Sequence, residues 1–167
     1  METMNKNIIL VGMPGSGRTV IGKILSEKLG FKFFNTDQYI EVKSEESISE
    51  LLNIEENNSR ILENETIEKL SSTKSSIISA GIDVIKDTSN MKKLKENGVV
   101  IFIDRSVEKI VQDEEVFNNR SLLKNEVQKL HQLFHERYEI YKKSCDLHLI
   151  NDNNIDEIVY YICSIWR

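Results

Sequence analysis

The sequence predicts an α/β protein: three α/β/α layers around a five-stranded parallel sheet. Short apolar runs recur along the chain, and each is continuous rather than alternating, which suits strands covered on both faces. Between them lie segments with helical rhythm. The first run feeds a glycine-rich turn that opens directly into a helix. No repeat and no linker interrupts the 167 residues, a length that suits one domain.

The first strand is IILV, 8–11, ending before Gly12. In 18–29, Ile21, Leu25 and Leu29 fall near helical spacing, and Gly30 is a suitable stop. FKFF, 31–34, is a second strand, with Asp37 near the start of a helix through Ile40. Residues 44–70 keep an amphipathic rhythm and are read as two or three helices. SIIS, 76–79, is a third strand, and 87–97 a short helix stopped by Asn97-Gly98. VVIFI, 99–103, is the clearest buried strand. The polar stretch 104–119 offers few core anchors and reads as a mobile or helical cover. A long helix over 121–143, a fifth strand LHLI at 147–150 and a terminal helix over 154–165 complete the order.

Composition narrows the function classes. The chain is 40% hydrophobic and 29% charged with one proline, so it is globular rather than disordered. A net charge of −5 weighs against nucleic acid and acidic lipid as partners, while local arginines can still bind a small anion. No run approaches membrane-spanning length. METMNKNIILVG enters the first strand without the apolar region and cleavage site of a signal peptide, so a cytoplasmic protein is expected. Cys145 and Cys163 match no metal or redox spacing and read as buried thiols. His131, His135 and His148 show no metal-site spacing.

Residues 12–19, GMPGSGRT, carry the chemistry. The pattern G-x-x-x-x-G-[K/R]-T between a strand and a helix is that of a phosphate-binding loop. Backbone N–H groups surround a phosphate, and the helix N-terminus adds positive potential. Gly12, Gly15 and Gly17 permit the turn, and Thr19 can present a hydroxyl to Mg²⁺. Arg18 stands where the motif has lysine. It keeps the charge but replaces a compact point charge with a planar donor fork.

GMPGSGRTVIGKILSEKLGFKFFNTDQYIE resembles the opening of shikimate kinases, in the nucleoside-monophosphate-kinase-like branch of P-loop proteins. SRILENE, IISAG, NRSLL and ERYEIYKKSCDLHL follow in register, so the resemblance covers nearly the whole chain. It implies transfer of the ATP γ-phosphate to the 3-hydroxyl of shikimate, with ATP and Mg²⁺ as cofactors. It implies a single domain with a substrate-binding helical segment at about 37–65 and a lid at about 110–122; a monomer is expected. Asp37 then matches the substrate-hydroxyl binder and base, and Arg60, Gly81 and Arg137 match substrate-binding positions. Arg120 matches the lid arginine that reaches the transferring phosphoryl group, a catalytic role shared with Arg18 and Asp37. Gly12, Gly15, Ser16, Gly17, Arg18, Thr19, Val20 and Arg120 form the implied nucleotide site, with Thr19 on the metal.

The chain departs from the family pattern at several of these places. Ala80-Gly81-Ile82 replaces a run of three glycines, which puts two side chains beside the substrate. Asn35 replaces an aspartate that supports Mg²⁺ through water. Asp113 falls where a lid arginine packs on adenine, and Ser121 replaces a proline. Two further readings therefore stay open. One is a catalytically impaired P-loop binding or regulatory protein, on Arg18, Asn35, Ile82 and Asp113. The other is a kinase of another small hydroxylated acid or sugar, on Ala80 and Ile82.

Overall fold

The computed structural model describes residues 3, 5–44, 56–113 and 124–166. Five strands are present: β1 (Asn7–Val11), β2 (Lys32–Asn35), β3 (Ser76–Ser79), β4 (Gly98–Asp104) and β5 (Leu147–Ile150). All pair in parallel, in the order β2-β3-β1-β4-β5. The described helices are α1 (Arg18–Leu29), α2 (Thr36–Ser44), α3 (Glu56–Ser71), α4 (Thr88–Glu96), α5 (Val107–Gln112), α6 (Lys124–Ser144) and α7 (Ile155–Ile165), with a 3₁₀ turn at Val84–Lys86.

The predicted layering follows from the strand sequences. Along β1, Ile9 and Val11 face one core with Ile78, Val100, Phe102, Ile67 and Tyr141, while Ile8 and Leu10 face the other with Ile21, Leu25 and Ile162. Both faces of the central strands are therefore apolar, and helices must cover each. Edge strand β5 alternates instead in its burial. Gly30 ends α1 in the left-handed region at φ 71°, its N–H donating to the Ser26 carbonyl.

Two readings need correction. The opening of the polar stretch 104–119 is part of the core: Val107 and Ile110 on α5 are buried, and Arg105 is 8% exposed. Two apolar residues three apart suffice to dock so short a helix. Cys163 is a buried thiol, but Cys145 at the end of α6 is only half-buried. Of the helices expected over 44–70, the described part is α3, and 45–55 lies outside the described residues.

The sheet order decides where the site forms. The connection from β1 runs to one side and that from β3 crosses to β4 on the other, so a crevice opens beyond the carboxyl end of β1. The turn after β1 occupies that crevice.

Candidate active site

The Gly12–Thr19 turn is built as its spacing predicts. Gly15 and Gly17 have φ of 81° and 106°, values that L side chains rarely adopt. At Gly12, a Cβ would lie 2.5 Å from the Ile103 carbonyl oxygen, so strand β4 leaves no room for one. The first helical hydrogen bond of α1 runs from Ile21 N–H to the Gly17 carbonyl at 2.9 Å. The amides of Arg18, Thr19 and Val20 are thus the free N-terminal donors of the helix.

Two side chains that sequence reasoning missed brace this turn. Arg105, at the end of β4, donates through Nη1 to the Gly15 carbonyl at 2.9 Å. Asn151, after β5, donates through Nδ2 to the Ser16 carbonyl at 2.8 Å. Asp113 accepts from Arg105 at 2.9 Å and Asn153 accepts from it at 3.1 Å. Asp113 therefore works as the anchor of a buried guanidinium at the nucleotide side. No local motif announces either brace, because both act across the sheet from other strand ends. Beside the turn lies a cavity of about 820 Å³, lined by Gly15 to Val20 and by Arg105, Asn153 and Ile155 among others. Val20 is exposed at its rim.

The turn fits a phosphate. Ser16 Oγ is buried without a hydrogen-bond partner among the described residues. A buried hydroxyl left unpaired is costly, and a phosphate oxygen in the cradle would satisfy it. Among the described residues, no group of three His, Cys, Asp or Glu side chains could hold a metal ion. A hydroxyl such as that of Thr19 is an oxygen donor of the kind Mg²⁺ accepts, an ion that takes most of its ligands from phosphates and water.

On the other side of Arg18 lies a second group of charges. Arg18 donates through Nη1 to the Ala80 carbonyl, so its side chain spans from the phosphate turn to the end of β3. Burial lowers its pKa, while Tyr141 and Asp37 oppose that shift. Asp37 sits in the first turn of α2, capped by Asn35, whose Oδ1 accepts from the Asp37 and Gln38 amides at 3.1 and 3.2 Å. Asn35 is thus the helix cap, and Asp37 is left to face Gly81. A Cβ on Gly81 would collide with the Asp37 carboxylate. Any larger residue between Ala80 and Ile82 would push the Asp37 carboxylate from this position. The Gly81 amide is held at 2.8 Å by Thr36 Oγ1, another contact with no sequence signature. Burial raises the Asp37 pKa; Arg18 lowers it, and Glu41 and Asp83 raise it.

Arg137 on α6 is 5% exposed. It donates to Asp83 Oδ1 at 3.0 Å and to the Ile82 carbonyl at 3.4 Å. Tyr141, one helical turn on, is buried with its hydroxyl unpartnered among the described residues, in electrostatic reach of Arg18 and Arg137. Arg60 is exposed on α3. Glu63, one turn further along α3, is pushed up to about 7 by burial and by the charges of Asp83, Asp37 and Asp87, against the pull of Arg60. Asp37, Gly81, Arg18 and Arg137 are therefore brought together, with Arg60 beside Glu63. Arg120 and Ser121 lie outside the described residues.

A phosphate turn on the central strand of such a sheet, with a carboxylate and buried arginines beside it, defines a P-loop phosphotransferase of small molecules. A family model described as shikimate kinase matches residues 14–166. A shikimate kinase from Clostridium botulinum (strain Alaska E43 / Type E3) is 41% identical over 162 residues, covering 97% of this chain and 98% of the relative. The structure of shikimate kinase from Acinetobacter baumannii in complex with shikimate superposes with a TM-score of 0.84 at 30% identity, covering 98% of this chain and 93% of the other. That from Aquifex aeolicus gives 0.79 at 28%, covering 95% and 94%. The chain belongs to the shikimate kinase family.

Proposed function

We propose that this chain uses ATP and Mg²⁺ to phosphorylate the 3-hydroxyl of shikimate, and that its departures from the family pattern leave the reaction intact. The observation that carries the reading is Arg18. Its guanidinium runs from the phosphate turn to the Ala80 carbonyl and faces Asp37, joining the phosphate site to the pocket of the acceptor hydroxyl.

The roles follow from residue chemistry. Gly12, Gly15, Ser16, Gly17, Arg18, Thr19 and Val20 hold the nucleotide, with amides and the Ser16 hydroxyl on phosphate oxygens. Thr19 holds Mg²⁺, which neutralises phosphate charge when bound. Arg18 lies where negative charge grows on the transferring group, and its fixed fork suits phosphate oxygens. Asp37 accepts the hydroxyl proton; a carboxylate raised in pKa by burial is the stronger base, and Arg18 favours its charged form. Arg137 and Arg60 take the substrate carboxylate, and Gly81 lets the substrate approach β3 closely. Arg120 is assigned to the phosphoryl group from a lid at about 110–122, and the segment at about 37–65 is assigned to substrate. We assign the protein to the cytoplasm as a monomer; no described helix is long and apolar enough to cross a membrane.

The test is ADP release coupled to an indicator reaction, with shikimate and Mg²⁺. Shikimate-dependent turnover is expected, and Asp37→Asn should cut kcat about 10²- to 10⁴-fold. Nucleotide binding without shikimate-dependent turnover would overturn the reading in favour of an impaired P-loop protein.

A further inference from the structure

The arginine assigned to the substrate carboxylate already holds a carboxylate. Arg137 Nη2 donates to Asp83 Oδ1 at 3.0 Å, a charge-assisted bond made by a guanidinium that is 5% exposed. Asp83 differs from its partner in one respect: its own side chain is 53% exposed. It also has a second cation at hand. Lys86 Nζ lies 3.3 Å from the same oxygen, three residues along, and that side chain is 59% exposed. Asp83 can therefore leave Arg137 toward solvent without losing its counter-charge, whereas Arg137 cannot follow it out.

Two neighbouring features show what is at stake when Asp83 stays. The buried Tyr141 hydroxyl near Arg137 has no partner among the described residues, so an acceptor is missing from the resting arrangement. Asp83 also adds negative charge to a pocket that already contains Asp37 and Glu63, and its field reaches both. An anionic substrate entering here meets that charge before it meets Arg137.

We propose that Asp83 is a resident stand-in for the substrate carboxylate, holding Arg137 in the empty enzyme and moving to Lys86 when a substrate carboxylate displaces it. The inference rests on the shikimate reading above. Asp83 is a positioning and specificity residue, since it touches Arg137 and not the reacting atoms. Its presence keeps a buried guanidinium compensated between turnovers. It also sets a threshold: only a ligand whose carboxylate outcompetes Asp83 occupies Arg137.

Calorimetric binding of shikimate and of its methyl ester, with kcat and KM for shikimate, tests this in wild type, Asp83→Asn and Lys86→Ala. Asparagine keeps the size and the acceptor oxygen but removes the charge. Asp83→Asn is expected to bind shikimate about three- to tenfold more tightly and to lower its KM to match, with kcat within about twofold. Binding of the uncharged ester should not change. Lys86→Ala, an exposed position where folding is not at issue, should weaken shikimate binding several-fold. Unchanged or weaker shikimate binding by Asp83→Asn, or equal tightening of the ester, would overturn the inference while wild-type turnover leaves the shikimate reading intact. If wild type neither binds nor turns over shikimate, the reading falls and takes the inference with it.

Discussion

Replacing Glu63 by glutamine isolates the electrostatic character of the substrate pocket. Glu63 is half-buried on α3, and its pKa rises from 4.5 to about 7 through burial first, then through Asp83, Asp37 and Asp87. A carboxyl raised in the folded state binds its proton more tightly there than in the unfolded chain. Its contribution to stability is full below about pH 4.5 and is lost as pH rises through about 7. At roughly 1.36 kcal/mol per pH unit, the whole shift corresponds to ~3 kcal/mol. Solvent screening of a half-buried group reduces this to ~1.5 kcal/mol. Glutamine resembles the protonated acid and does not titrate. Urea denaturation of both proteins at about pH 5 and about pH 8 should therefore show similar stabilities at the lower pH. At the higher pH the variant should be more stable by ~1.5 kcal/mol. Taking the difference between the two proteins cancels the titrations that are not coupled to Glu63. A gap that is the same at both pH values, or that favours wild type as pH rises, would refute the assignment of Glu63 to an acidic, partly dry pocket.

Other perturbations separate catalytic from structural roles. Gly81→Ala should displace the Asp37 carboxylate that a Cβ would strike, lowering kcat/KM on the order of 10²-fold with little change in melting temperature. Gly12→Ala meets a backbone carbonyl on β4 rather than a movable side chain, so it should destabilise the fold by ~1–3 kcal/mol, read as a lower melting temperature. Arg137→Lys keeps the charge but loses the planar fork. Shikimate KM should rise on the order of tenfold, more than kcat falls, in steady-state assays.

The chain's own pattern determined the architecture and half of the site. Continuous apolar runs at β1, β3 and β4 require cover on both faces, and that requirement alone implies a parallel sheet between helical layers. The Gly12–Thr19 turn was equally legible, because its function depends on local backbone geometry that glycine spacing encodes. Gly81 was visible only through its resemblance to a family position; its reason, the approach of Asp37, is tertiary. Arg105, Asn151 and Asp83 carried no signal, and Thr36 and Glu63 lay in segments that resemble the family without being singled out. Each acts on a partner from another element: Arg105 reaches across 90 positions to Gly15, and Asn151 across 135 to Ser16. Such contacts depend on which strand ends the crossovers bring together, and a local pattern holds no record of that. Asn35 and Asp113 make the same point. As sequence they are departures from a metal-supporting aspartate and an adenine-packing arginine. In the fold one caps α2 and the other anchors Arg105, because the partners that give an amide or a carboxylate its role are set by the tertiary structure.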